Sequence, residues 1–207
     1  WLRTLIPSLQ PAGGALLRTL ASDSGSVDAV MVTPDGKRVI SASEDEAMNE
    51  TVTVWDLQRG VPLRQLECDS RINGLAVMPD GWHAVLASSD ETLKVRDLNR
   101  GKELQTLQGH TAPVRAVVVM RGGRYAVSAS DDRTLKVWDL ECGTALRTLE
   151  GHAGPVWAVT VTPDGRRAVS ASSDRTLRVW NLEYEIELCT LKGHMDSVWA
   201  VAMTPDG

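Results

Sequence analysis

Apolar and polar positions along this 207-residue chain alternate in short runs. Val114–Met120 (VRAVVVM), Tyr125–Ser130 (YAVSAS), Thr134–Leu140 (TLKVWDL) and Ala145–Glu150 (ALRTLE) are brief and rich in Val, Leu, Ala and Thr, several with period two. Runs of this length and composition predict β-strands. Turn signals separate them. In Pro-Asp-Gly, proline presets the first central position of a tight turn and glycine accepts the positive φ it needs. Asp-Asp-Arg and Glu-Cys-Gly mark the next two turns.

The whole arrangement repeats. TPDG stands at Thr33–Gly36, Thr162–Gly165 and Thr204–Gly207, with MPDG at Met78–Gly81 and MRGG at Met120–Gly123, so successive starts lie 45, 42, 42 and 42 residues apart. Gly-His recurs at 109–110, 151–152 and 193–194, and residues 109–150 match 151–192 at 25 of 42 positions without a gap. Four short strands per unit predict a small antiparallel sheet, and radial repetition of that sheet gives an all-β propeller.

The repeated combination of Gly-His, Ser-Ala-Ser-Asp and Trp-Asp at this spacing resembles the WD-repeat β-propeller family over roughly residues 16–207. The resemblance implies that the first strand of each blade lines a central channel and the fourth lies outermost. It places four complete blades at about 26–66, 71–107, 113–149 and 155–191, a lone outer strand at 16–20, and the first strand of a further blade at 197–204. Residues 1–15, broken by Pro7, Pro11 and Gly13-Gly14, read as a linker or the end of a preceding domain. Trp1 opens the chain without a methionine and TPDG closes it in mid-turn, so an excerpt of a larger propeller is expected. Closely similar consecutive blades are similar to those of large bacterial signalling proteins, by analogy only.

Serine, histidine and aspartate in each unit raise the question of a hydrolase triad. In the resembled family these residues form a structural tetrad with tryptophan. Carried over, the tetrads are His110, Ser128 or Ser130, Asp132 and Trp138, then His152, Ser170 or Ser172, Asp174 and Trp180. A catalytic triad needs an exposed nucleophile and an oxyanion hole, and repetition in successive blades fits a buried network instead. The first two blades depart from the pattern. Blade one has Ser22-Asp23 for Gly-His while keeping Asp45 and Trp55, and blade two keeps Asp90 but has Arg96 for tryptophan and no histidine. Both are expected to be less rigid than blades three and four. His194 begins another copy.

Two candidate binding features share the end of the propeller that carries the Gly-His loops. Blade one has four extra residues, Glu46–Asn49, which with Glu44, Asp45 and Glu50 make an acidic knob, either tolerated loop drift or a contact. The residue after the first Val or Ile of each inner strand, Asp28, Asn73, Arg115, Trp157 or Trp199, changes from unit to unit while its neighbours repeat. That position faces ligand or solvent, or else its tryptophans pack on neighbouring loops. Glu44, Ser89, Asp131 and Ser173, each preceding a turn aspartate, are expected on the same face.

Composition narrows the rest. A net charge of −5 argues against a general nucleic-acid surface, and no apolar run approaches the ~18 residues of a membrane span. Cys68, Cys142 and Cys189 are odd in number and widely spaced, which argues against disulfides or a zinc site and for a reducing, cytoplasmic setting. No glycine-rich phosphate loop or metal-ligand cluster appears, so no cofactor or metal is expected. The expectation is a non-enzymatic scaffold that binds a protein or peptide on the Gly-His face. The alternatives are a self-assembling module closed by other copies and, last, a propeller hydrolase.

Overall fold

The computed structural model describes residues 19–20, 26–44 and 50–204. Sixteen strands among them form four antiparallel sheets, each ordered along the chain. The first sheet holds β1 (Val27–Val32), β2 (Arg38–Glu44), β3 (Glu50–Asp56) and β4 (Val61–Cys68). The second holds β5 (Ile72–Val77), β6 (His83–Ser88), β7 (Leu93–Asp97) and β8 (Lys102–Leu107). The third holds β9 (Val114–Val119), β10 (Tyr125–Ser130), β11 (Leu135–Asp139) and β12 (Thr144–Leu149). The fourth holds β13 (Val156–Val161), β14 (Arg167–Ser172), β15 (Leu177–Asn181) and β16 (Ile186–Leu191). These are four-stranded blades of the kind expected.

The core lies between blades, because each central strand is apolar on both faces. Along β6, Ala84 and Leu86 pack with Ile40, Val52 and Leu66 of blade one, while Val85 and Ala87 pack with Val114, Val117 and Trp138 of blade three. Period two sends alternate residues to opposite faces, so one strand serves two interfaces. Blades three and four meet in the same way, through Val127, Leu135 and Val137 against Ala168, Trp180 and Leu182. The inner strands β1, β5, β9 and β13 also touch in series. Gly74 permits the approach of β5 to β9. A Cβ there would stand 2.9 Å from the Arg115 carbonyl oxygen and 3.3 Å from the Ala116 Cα.

Two recurrent bulges break the ladders. Between first and second strands the register skips one residue: Asp28, Asn73, Arg115 or Trp157. Between third and fourth strands it skips Leu63, Leu104, Leu146 or Leu188, and these leucines are about half exposed. A bulge leaves its extra residue unpaired and re-aims the side chain.

Residues 197–204 form no strand, contrary to expectation. The start of this segment is docked all the same: Val198 is buried, and its N–H donates to the Ser172 carbonyl at 3.0 Å. The expected outer strand Leu16–Leu20 falls mostly outside the described residues, and Thr19 and Leu20 carry no strand. The linker 1–15 lies outside them entirely.

Substituting valine for Gly74 is expected to push β5 away from the β9 backbone and to lower stability by about 1–3 kcal/mol. Thermal unfolding of the Gly74→Val variant measures the loss.

Candidate functional site

His110 sits in the crossover from β8 to β9, and Asp132 in the tight turn between β10 and β11 of the blade that crossover enters. His110 Nδ1 lies 2.6 Å from Asp132 Oδ2, and His110 Nε2 lies 2.7 Å from Ser128 Oγ. The Trp138 indole Nε1–H donates to that same hydroxyl at 2.8 Å. Blade four repeats the chain of bonds: His152 to Asp174 at 2.7 Å, His152 to Ser170 at 2.7 Å, and Trp180 to Ser170 at 2.8 Å. Of the paired serines, Ser128 and Ser170 join the histidine. Ser130 and Ser172 have another task. Their hydroxyls donate to the crossover carbonyls of Ala112 and Pro113, or Gly154 and Pro155, and accept from the N–H of the turn aspartate. Gly109 precedes the histidine because a Cβ there would come within 3.2 Å of the Trp138 ring.

Burial alone would raise the Asp132 carboxyl, but hydrogen bonds from His110 and Thr134 override it and hold the group well below the usual carboxylate range. Asp174 is held low in the same way by Thr176 and His152. An ionised carboxylate only accepts, so the histidine Nδ1 donates. Burial pushes the His152 imidazole down, against the pull of Asp174, so at neutral pH its Nε2 is free to accept the Ser170 hydroxyl proton. The bonding order is that of a Ser-His-Asp triad, but the accessibility is not. Ser128 and Ser170 are fully buried, each hydroxyl is capped by an indole, and the histidines are 6% exposed. No substrate reaches either oxygen.

Sequence reasoning missed the threonine two residues past each turn aspartate. Thr92, Thr134 and Thr176 donate by both N–H and hydroxyl to Asp90, Asp132 and Asp174. The signal was present, since all three recur in register.

The irregular blades solve the same problem with other groups. In blade one Trp55 donates to Ser41 at 2.9 Å, whereas Asp45, Glu46 and Ser22-Asp23 lie outside the described residues. In blade two Leu86 occupies the place of Ser128, removing the acceptor a tryptophan would need. Arg96 instead donates to the Glu67 carbonyl at 2.8 Å and approaches Glu103 at 3.5 Å. Ser70 stands in for the histidine, 2.6 Å from Ser88 and 2.9 Å from Asp90, and Lys94 pairs with Asp90 at 3.0 Å. Burial would raise the Asp90 carboxyl, yet Thr92, Lys94 and Ser70 together bring it far below its ordinary value. His194 is exposed.

The variable positions form a connected row along the inner rim. Asp28 pairs with Arg71 at 2.9 Å, and Arg71 also approaches Glu44 at 4.0 Å. Asn73 donates to Ser89 at 3.1 Å and to the Val114 carbonyl at 2.8 Å. Arg115 forks onto Asp131 at 2.9 and 2.5 Å, and its guanidinium lies 5.0 Å from the Trp157 ring. Trp157 and Trp199 stack at 4.8 Å between centroids and 31° between planes. Ser173 shares the face, its hydroxyl 2.4 Å from where a Gly154 Cβ would sit. The structure thus brings Asp28, Asn73, Arg115, Trp157 and Trp199 to one edge with Glu44, Ser89 and Asp131.

The family described as "WD domain, G-beta repeat" matches residues 14–56, 101–139 and 143–181, together more than half of the chain. The unmatched stretch between the first two contains β5–β7, where Leu86 and Arg96 stand. The chain is 34% identical over 93 residues to small ribosomal subunit protein RACK1 of Brassica napus, which is 45% of this chain and 27% of that relative. It is 29% identical over 107 residues to autophagy-related protein 16 of Arabidopsis thaliana, 51% of this chain and 20% of the relative. With the periodic tryptophan protein 2 homolog of Schizosaccharomyces pombe it shares 32% over 97 residues, 46% of this chain and 11% of the relative. The matched stretch therefore spans about a quarter or less of these proteins.

Asp132→Ala leaves the buried His110 Nδ1–H without its acceptor, and the variant is expected to lose about 2–3 kcal/mol in urea unfolding. The pH dependence has a definite sign. An unfolded histidine titrates near about 6.5, above the folded His152, so the stability His152 contributes is complete above that pH and declines as pH falls through it. The stability gap between the parent chain and a His152→Gln variant should therefore narrow between about pH 7.5 and 5.

Proposed function

The chain belongs to the WD-repeat family, and on that premise we propose that it is a non-enzymatic scaffold that binds a protein or peptide along its inner rim. The observation that carries this reading is the coincidence of bulge and variation. Asp28, Asn73, Arg115 and Trp157 are the residues that the first-strand bulge turns out of the ladder, and they are the ones that differ between otherwise repeated units. A bulged side chain owes little to the sheet and is free to follow a ligand. Arginine and tryptophan, which anchor many interfaces, occupy three of the five rim positions. The burial of both tetrad serines supports a binding role over a hydrolytic one.

Further aspects of the reading rest on composition and kinship. A net charge of −5 argues for a protein partner over nucleic acid or an anionic membrane. The cysteines Cys68, Cys142 and Cys189 are free, two of them exposed, which fits a cytoplasmic site. The identity of the partner and any signalling role belong to the whole protein.

Self-association is the second reading, favoured by apolar residues of β1 that are exposed among the described residues. Val27 is 60% exposed where Ile72, Val114 and Val156 are fully buried, and Val30 is 60% exposed where Leu75 and Val117 are below 10%. In blades two to four the matching residues are covered by the preceding blade.

Peptides selected for binding to this chain are expected to weaken about tenfold or more with Arg115→Ala or Trp157→Ala. They should tolerate Lys37→Ala and Arg121→Ala at the opposite end of the sheets. Binders that lose affinity only with the latter pair would overturn the rim assignment. Light scattering tests the second reading: a mass that rises above 22.5 kDa with concentration supports it, and a constant 22.5 kDa removes it.

A further inference from the structure

Blade one carries two rungs that the other described blades lack. Its β2–β3 hairpin continues past the Ala42–Val52 pair, where the others end, to Ser43–Thr51 and Glu44–Glu50. The β3–β4 pairing continues likewise, to Glu67–Thr51 and Cys68–Glu50. The last rung sets Glu44, Glu50 and Cys68 abreast, and residues directly opposite share one face of a sheet. That face meets blade two, since Val52 and Val54, two and four residues along β3, pack with Ile72, Leu75 and Leu86.

Glu50 is 4% exposed, and neither of its oxygens meets a hydrogen-bond partner among the described residues. One Asp28 oxygen is buried without a partner as well. Arg71, across the seam, bonds Asp28 at 2.9 Å and reaches Glu44 at 4.0 Å, so one guanidinium answers three carboxyl groups. The other charged groups about this rung offer Glu50 nothing. Lys94 and Arg96 of β7 are engaged by Asp90 and by the Glu67 carbonyl, and Asp69 is a further acid. The Cys68 thiol is pushed up by its own burial and stays neutral. Burial, with Asp28 and Glu44 adding their charges, pushes the Glu50 carboxyl up against the pull of the Ile72 N–H and Arg71.

We propose that Glu50 is a proton-operated latch at the top of the seam between blades one and two. With a proton on Glu50 the added rungs stay closed over blade two, and loss of that proton parts them. Like charges directly opposite in a sheet repel, and Glu44 is the cross-strand neighbour of Glu50. An unfolded glutamate titrates near about 4.3, below the folded Glu50. The closed rungs therefore keep their full stability below that pH and lose it as pH rises through the Glu50 midpoint. The latch rests on this seam alone and stands apart from the rim reading.

The test uses the whole chain and compares it with Glu50→Gln, which keeps the size and polarity of the neutral carboxyl. Carbon-13 titration of the side-chain carboxyl signals, assigned through the backbone, should give Glu50 a midpoint above about 4.3. Amide exchange in the added rungs, corrected for intrinsic rates, should show opening that rises with pH by up to about tenfold per unit until that midpoint. In Glu50→Gln the same amides should open equally at every pH. A Glu50 midpoint at or below about 4.3 overturns the latch, as does opening that follows pH equally in parent and variant. The titration is read in the parent chain, so it decides the matter even where the variant does not fold.

Discussion

A four-stranded sheet that is apolar on both faces has to be flanked on both sides, yet the chain must also cross from one sheet to the next past that interface. The crossover is polar backbone at the edge of an apolar seam, and its carbonyls and N–H groups need partners. In blades three and four one buried serine hydroxyl meets the need by bonding histidine on the crossover and tryptophan on the third strand. A second serine caps the crossover carbonyls. The turn aspartate is bonded from three directions: histidine, threonine and a crossover N–H. Crossover, hairpin turn and third strand are thereby tied at one end of each sheet. The inner strand that follows starts from a fixed point.

That fixed point lies next to the rim. The bulge falls at the second residue of each inner strand, immediately beyond the pinned crossover, so its side chain is aimed by the best-determined part of the blade. Position and identity are separated: in blades three and four the His-Ser-Asp-Trp bonds repeat, while the one residue the ladder releases differs from unit to unit. Blade two keeps the bulge with a different set of bonds, Ser70, Ser88, Asp90 and Lys94, and Asn73 still reaches across to the Val114 carbonyl. The tetrad is thus one solution to a requirement that other polar groups can also meet.

Much of this was legible in the sequence. The 42-residue recurrence and the apolar runs showed the fold class, and the resemblance indicated which histidines, aspartates and tryptophans belong together. The choice between Ser128 and Ser130 was not legible, because both are inward and polar, and only register decides which faces the crossover and which the indole. The bulge was also hidden. Val-Arg-Ala-Val and Val-Trp-Ala-Val alternate too little to show a skipped residue, although variation at that position hinted at one. Arg96 signalled a missing indole, but Leu86, which explains why no indole could be satisfied there, looked like an ordinary core residue. The segment 197–204 has strand composition, yet none of it is in a strand.

Native-state hydrogen exchange tests the account most directly. Blade three is flanked on both sides, so its packing between sheets stays in place when the crossover bonds are cut. If the serine–histidine–aspartate–tryptophan set is a structural tie, Ser128→Ala should speed exchange of the β10 and β11 amides. Unchanged exchange there would contradict it, and would mean that packing between the sheets alone holds the rim in place.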